Sequence, residues 1–297
     1  MKQYIVGLGE ALWDMLPAGK QLGGAPANFA YHAGQFLGLE NVLALSALGN
    51  DALALETEEA FAARRLPIYM PRVDFPTGTV RVTLDERGIP SYDICEGVAW
   101  DHIPFDGRMQ DVARRCRAVC YGSLAQRSPV SRGTIRRFLD LTPPDCLRIF
   151  DINLRQHFYD RPVIEESLRR ARILKINDEE LDIIGPLLDY AAAVPSDVCR
   201  RLIADYGLDM VVLTCGVNGS YVFTSSEDFF RPTPQVRVAD TVGAGDSFTG
   251  AFCAALLGGR SVDEAHALAV EVSAYVCTQH GAMPPLPEEM KSRACRV

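Results

Sequence analysis

The residues best suited to chemistry lie in one nine-residue run, Asp240-Thr241-Val242-Gly243-Ala244-Gly245-Asp246-Ser247-Phe248. Two glycines flank an alanine and lead into residues 247–257, whose small and aromatic side chains predict a helix. Without bulky side chains, the successive backbone N–H groups of Gly243, Ala244 and Gly245 can approach an anion, and the start of a helix adds positive potential there. Asp246 stands at the opening of that helix. A carboxylate beside a bound phosphate repels it unless it has a task. The task that fits is to take the proton from a hydroxyl that attacks phosphorus. The alternative is a tight glycine turn with Asp246 as a helix cap.

A second cluster is Gly23-Gly24-Ala25-Pro26-Ala27-Asn28. The glycine pair lets a small polyol approach the backbone, and Asn28 offers donor and acceptor to hydroxyls. Pro26 equally marks the first turn of a helix, and both readings can hold. Asn177-Asp178-Glu179-Glu180 follows the apolar run 173–176 and has the form of a capping box. It also stands where open α/β sheets bind ligands, at the carboxyl end of a strand. Other fingerprints drop out. Gly7-Leu8-Gly9 lacks the third glycine of a dinucleotide motif, since position 12 is Leu, and there is no P-loop. His32, His102, His157, His266 and His280 lie far apart, with no HExxH. The nine cysteines contain no CxxC pair; Cys116 and Cys120 could share a helical face, but no His lies near them. Buried free thiols in a reducing compartment are predicted.

The elements that must position these residues alternate along the chain. Strands are predicted over residues 4–6, 42–45, 118–121, 147–150, 173–176 and 210–213, with helices over 28–37, 51–66 and between most of the later strands. Continuous apolar strands interleaved with helices indicate a parallel sheet covered on both faces. Residues 79–84 break this pattern by alternating polar and apolar, followed by the turn 85–88 and a second strand through Tyr92 and Ile94. That is a half-exposed hairpin, read as a lid or an interface arm.

A length of 297 residues with 48% hydrophobic content suits a large globular chain, and no linker or repeat divides it, so one α/β domain over 1–297 is predicted. The formal charge of −8 argues against nucleic acid or an anionic membrane as partner. The N-terminus lacks the apolar core of a signal peptide and no run reaches the ~20 apolar residues of a membrane span, which predicts a cytoplasmic protein.

The string DTVGAGDSF closely resembles the C-terminal signature of the ribokinase-type (PfkB) carbohydrate kinases, and GGAPAN resembles their N-terminal one. The two stand in the right order, and the likeness covers essentially the whole chain. It implies a three-layer α/β/α core with a mostly parallel sheet and a small β lid, formed here by about residues 10–22 and 68–100. It implies an ATP-dependent sugar kinase in which Asp246 is the general base and Gly243, Ala244 and Gly245 form the anion hole. Asp14, Gly23, Gly24 and Asn28 would then hold the sugar. Asn177, Thr214, Gly216 and Gly219 would serve ATP, with Glu180 in the Mg²⁺ shell through water. Asp240 and Val242 match a loop that binds a monovalent cation, K⁺ in this family, although Pro285 replaces a hydroxyl residue of the ribokinase pattern. Family members often dimerise through such lids, which implies a homodimer.

Ribokinases usually carry Lys after the glycine pair, where this chain has Ala25. The Gly-Gly-Ala-Pro-Ala-Asn form resembles fructokinases, as does Asp151-Ile152-Asn153-Leu154-Arg155. The resemblance makes Arg155 a clamp on transferring charge; a surface ion pair is its alternative. Lys20 is the one lysine among residues 14–34, which favours a neutral ketose. The implied reaction is fructose to fructose 6-phosphate. The alternatives are 2-keto-3-deoxygluconate kinase, ribokinase or nucleoside kinase, and an inactive sugar-binding regulator of the same fold.

Overall fold

The structure is a computed structural model describing residues 2–16, 19–84, 90–190 and 194–294, with the side chains of 82–84 and 90–92 excepted. The predicted turn 85–88 and Cys295 lie outside the described residues. In chain order the strands are β1 (Tyr4–Leu8), β2 (Leu12–Leu16), β3 (Gly19–Gly23), β4 (Val42–Leu45), β5 (Ile68–Tyr69), β6 (Gly78–Leu84) and β7 (Pro90–Ile94). They continue with β8 (Cys116–Tyr121), β9 (Leu147–Asp151), β10 (Ile173–Asn177), β11 (Met210–Thr214), β12 (Ser220–Thr224) and β13 (Asp228–Arg231). The helices are α1 (Ala25–Leu37), α2 (Ala52–Ala63), α3 (Gly107–Arg114), α4 (Pro129–Asp140) and α5 (Arg161–Arg170). Then come α6 (Asp178–Leu187), α7 (Pro195–Tyr206), α8 (Ala244–Leu257) and α9 (Val262–Cys277).

The apolar runs form a nine-stranded sheet in the order β13-β12-β11-β10-β9-β8-β1-β4-β5. It is parallel from β11 to β5, and β12 and β13 extend it antiparallel. Alternation along β1 sends neighbouring side chains to opposite faces. Val6 and Leu8 join one core with Met109, Ile135, Leu168, Ile184 and Leu202, so α3 to α7 cover that face. Ile5 joins the other with Phe29, Phe61, Phe252 and Val272, placing α1, α2, α8 and α9 there. This is the three-layer arrangement that the alternation of elements predicts.

Three boundaries differ from expectation. Helix α1 begins at Ala25 rather than 28, because Pro26 presets the first turn instead of preceding it. Helix α2 stops at Ala63, and Asp51 is its cap, accepting the Ala54 N–H at 2.9 Å. The lid does not start at 68: Ile68 and Tyr69 pair with β4 at the edge of the large sheet, since an apolar pair beside that edge completes its ladder.

The predicted hairpin is present as β6 and β7, but it is half of a four-stranded sheet, β3-β2-β6-β7. Strand β2 pairs antiparallel with β3 and parallel with β6, giving the hairpin the partners that two strands alone lack. Arg127 roots this small sheet. Its guanidinium donates to Cys95 O at 2.5 Å and to Asp101 at 2.8 Å, and lies 3.9 Å from the Trp100 ring centre. The eight cysteines among the described residues are free.

Candidate active site

The carboxyl ends of the large sheet and the inner face of the small one enclose a cavity of about 500 Å³. Glu10, Asp14, Gly24, Asn28, Arg155 and Asp246 line it, with Val80 and Ile94 from the small sheet. The structure thus brings together residues from both signature strings and from the segment after β9.

Gly243 caps α8 in the left-handed region, φ 78°, which favours glycine. A Cβ there would also meet Ala282 O at 2.7 Å. Ala244 and Gly245 open the helix; the Ala244 N–H donates to Thr241 O at 3.2 Å, and the first helical bond runs from the Ser247 N–H to Gly243 O at 2.8 Å. Asp246 follows in the first turn. Its Oδ2 accepts from Asn28 Nδ2 at 2.7 Å, tying the two signatures across the molecule. Burial pushes the Asp246 carboxyl up to about 6, helped by Asp151 and opposed by Asn28, Lys175 and Arg155. A base in that range is ionised at neutral pH yet holds a proton well, as proton removal from a hydroxyl requires.

Asp14 lies on β2, and burial raises its pKa against the pull of Arg155. Gly23 ends β3, and a Cβ there would press to 3.2 Å from Asp14 Oδ2. Gly24, φ 127°, passes so close to Glu10 that a Cβ would lie 2.7 Å from the Glu10 carbonyl oxygen. Asn28 is buried in α1, and its Oδ1 has no hydrogen-bond partner. Arg155 is exposed in a segment bent by two left-handed residues, Asn153 (φ 44°) and Gln156 (φ 48°). Such conformations need support from their surroundings. Part of it comes from Glu180, whose Oε1 accepts the Leu154 N–H at 2.9 Å.

Glu180 also completes the capping box of α6, exchanging bonds with Asn177 at 2.8 and 2.9 Å. Both its oxygens therefore accept backbone amides. No group of three or more ligating side chains occurs among the described residues. With both oxygens so engaged, Glu180 would reach a Mg²⁺ arriving on nucleotide phosphates only through water. Asn177 and Thr214 are register partners at the ends of β10 and β11. Gly216 and Gly219 flank the short turn after Thr214. None of these four lines the cavity described above. Asp240 accepts the N–H groups of Val242 and Gly281, each at 3.0 Å, and so ties the segment before Gly243 to the C-terminal segment.

Residues 18–289 match the pfkB family carbohydrate kinase. The chain belongs to that family. It is an ATP-dependent carbohydrate kinase. It is 27% identical to the ATP-dependent 6-phosphofructokinase of Thermoanaerobacterium thermosaccharolyticum, covering 97% of this chain and 92% of the relative. It is 28% identical to a fructokinase of Rhizobium leguminosarum bv. trifolii, over 84% of this chain and 78% of the relative. The fold matches that of the Xylella fastidiosa fructokinase with bound ATP, with a TM-score of 0.81 at 23% identity, covering 99% and 98% of the two chains.

Two charged groups of this pfkB-family kinase escape the motif reading. Lys175 lies in the middle of β10, and its Nζ sits 3.1 Å from Asp151 Oδ1 and 3.1 Å from where a Cβ on Gly245 would be. Burial works against its charge, yet Asp151, Glu180 and Asp246 hold its pKa above the ordinary value. A lysine inside Ile173-Leu174-Lys175-Ile176 was the available signal, because a charge in a two-sided apolar strand needs a partner. Glu10 is buried beside the cavity and pushed up to about 7, by burial first and by Asp246 among the charges. Nothing in its spacing marks it.

Proposed function

We propose that this kinase phosphorylates O6 of fructose, giving fructose 6-phosphate and ADP. The observation that carries the reading is the charge of the cavity wall: Glu10, Asp14 and Asp246 face a single guanidinium, that of Arg155. Such a wall suits a neutral polyol, whose hydroxyls donate to carboxylates. It disfavours a sugar acid or a sugar phosphate, each of which would need added positive charge. Lys20 offers none, because it is paired with Glu56. The relatives called fructokinase agree with this choice, whereas the 6-phosphofructokinase relative acts, by its name, on a phosphorylated sugar.

In this reading the sugar lies between the two sheets with Asp14 and Asn28 on its hydroxyls. Asp246 takes the proton of the acceptor hydroxyl as its oxygen bonds to the γ-phosphorus. The bond from that phosphorus to the β,γ-bridging oxygen breaks, and ADP leaves. The amides of Gly243, Ala244 and Gly245 receive the charge that builds on the transferring group, and Arg155 adds a positive clamp. Glu180 would reach, through water, a Mg²⁺ bound with ATP, which would supply positive charge to screen the phosphates. Asn177, Thr214, Gly216 and Gly219 hold the nucleotide side. The Asp240 carboxylate and the Val242 carbonyl are the groups that a monovalent cation beside the loop would use. The small sheet is the surface for a homodimer.

An ADP-release assay over fructose, fructose 6-phosphate, ketodeoxygluconate, ribose and adenosine tests the assignment. Fructose should give the highest kcat/KM. A higher value for either anionic substrate would overturn the charge argument.

A further inference from the structure

Glu10 is 4% exposed and its Oε2 has no hydrogen-bond partner. Buried polar atoms are seldom left so, and an orphan beside a cavity points to a group that fills it. Glu10 lines the same cavity as Asp246, Asp14 and Asn28, and it also borders the narrow cleft between Asp246 and Asp151. A second orphan, Asn28 Oδ1, belongs to the same wall. Asn28 already spends its Nδ2 on Asp246. Two buried, unpaired oxygens therefore belong to residues that line one wall of the cavity.

We infer that Glu10 is a sugar-contacting residue, its Oε2 hydrogen-bonded to a hydroxyl of the bound sugar next to the one that Asp246 deprotonates. The inference rests on the sugar-kinase reading and adds to it a specificity residue. A hydroxyl both donates and accepts, so it can pair with the carboxylate or with the protonated acid. A burial-raised carboxyl is easier to leave buried beside Asp246 while the site is empty than a full charge would be. Glu10 is also placed to be selective: a site built to bond a hydroxyl rejects a sugar lacking it, because the buried oxygen stays unpaired.

The competing role is structural. The Glu10 carbonyl packs against Gly24, and the amides of Glu10 and Ala25 approach its carboxylate, so the side chain could merely hold the loop before α1. Glu10→Ala and Glu10→Gln separate the two, measured as KM for sugar, KM for ATP and melting temperature. Sugar contact predicts that Glu10→Ala raises KM for sugar about tenfold or more while KM for ATP stays within about twofold. Glu10→Gln, the isostere of the protonated acid, should restore most of the affinity. It should also abolish the inflection near pH 7 in the sugar KM of the wild-type enzyme. A sugar KM unchanged in Glu10→Ala, or both KM values rising together with a lowered melting temperature, overturns the inference. If Glu10→Ala does not fold, an inflection that persists in Glu10→Gln overturns it instead. Wild-type enzyme that prefers another sugar sinks the fructose assignment alone, and the same comparison is then read with that sugar. A chain inert toward every sugar sinks both.

Discussion

Asp151 and Asp246 are two carboxylates at the end of one sheet, and their partners differ. Asp151 closes β9, with the Lys175 ammonium 3.1 Å from Oδ1 and the Thr249 hydroxyl donating to Oδ2 at 3.0 Å. Asp246 has the Asn28 amide on one oxygen and faces the cavity. An ion pair matches a charge and fixes it in place. An amide orients a carboxylate and leaves it able to take up a proton. In the function proposed above, the first belongs to the floor under the loop 243–245 and the second to the chemistry. Asp151 raises the cost of ionising Asp246, so the floor also tunes the carboxyl above it.

The largest effect should come from removing the base. Asp246→Asn keeps the shape and the Asn28 contact but cannot accept a proton, so kcat should fall about 10²- to 10⁴-fold with little change in either KM. The same substitution should not destabilise the apo protein. The raised pKa means that the folded chain keeps this proton up to about pH 6, whereas the unfolded chain releases it near the ordinary value of 3.8. Stability from this group is therefore present below pH 4 and lost as pH rises to 6. At pH 8 the ionised Asp246 costs at most about 3 kcal/mol, at 1.36 kcal/mol per unit. Thermal unfolding should find Asp246→Asn as stable as wild type or more so at pH 8, with the difference closing toward pH 4. A near wild-type kcat would make Asp246 a helix cap and erase the contrast with Asp151.

Lys175→Met tests the other side. It leaves the Asp151 carboxylate buried without its countercharge, which typically costs about 3–5 kcal/mol of stability. Urea unfolding of the variant checks this. A double variant, Lys175→Met with Asp151→Asn, should recover part of the loss, because no uncompensated charge remains. If the single variant is as stable as wild type, the pair is not the floor described above.

The sequence made one of these two carboxylates legible and not the other. The glycine loop is local: its glycines, Asp246 and the helix start are contiguous, so nine residues display the whole arrangement. The strands of the large sheet are equally plain, because burial on both faces demands unbroken apolar runs such as 118–121 and 210–213. Strands β2 and β3 are not, since Trp13, Asp14 and Lys20 follow no clean alternation and gain their order from β6, far along the chain. The Asp151–Lys175 pair and the place of Glu10 depend on which strand ends and loops adjoin. Lys175 announces a need for a partner without naming it. The roles given to Asn177, Thr214, Gly216 and Gly219 came from the family resemblance, and the geometry adds their position at the strand ends.

The smallest effect, and the finest test of the contrast, concerns the amide that separates the two carboxylates in kind. Asn28 lowers the pKa of Asp246 by donating to its charged form, while burial and Asp151 raise it. In wild type, kcat/KM should fall as pH drops through about 6, because the protonated base cannot accept the hydroxyl proton. Removing the donor in Asn28→Ala shifts the balance toward burial, so this acidic limb should move to higher pH. A hydrogen bond to a charged group is worth about 1.5–3 kcal/mol, which corresponds to a displacement of roughly one to two units. Sugar KM should rise as well, since Asn28 lines the cavity, but that rise would be the same at every pH. The pH profile is the discriminating measurement. A limb that stays near pH 6 in Asn28→Ala would mean that the amide orients Asp246 without tuning it, and the proton affinity of the base would then be set by burial and by Asp151 alone.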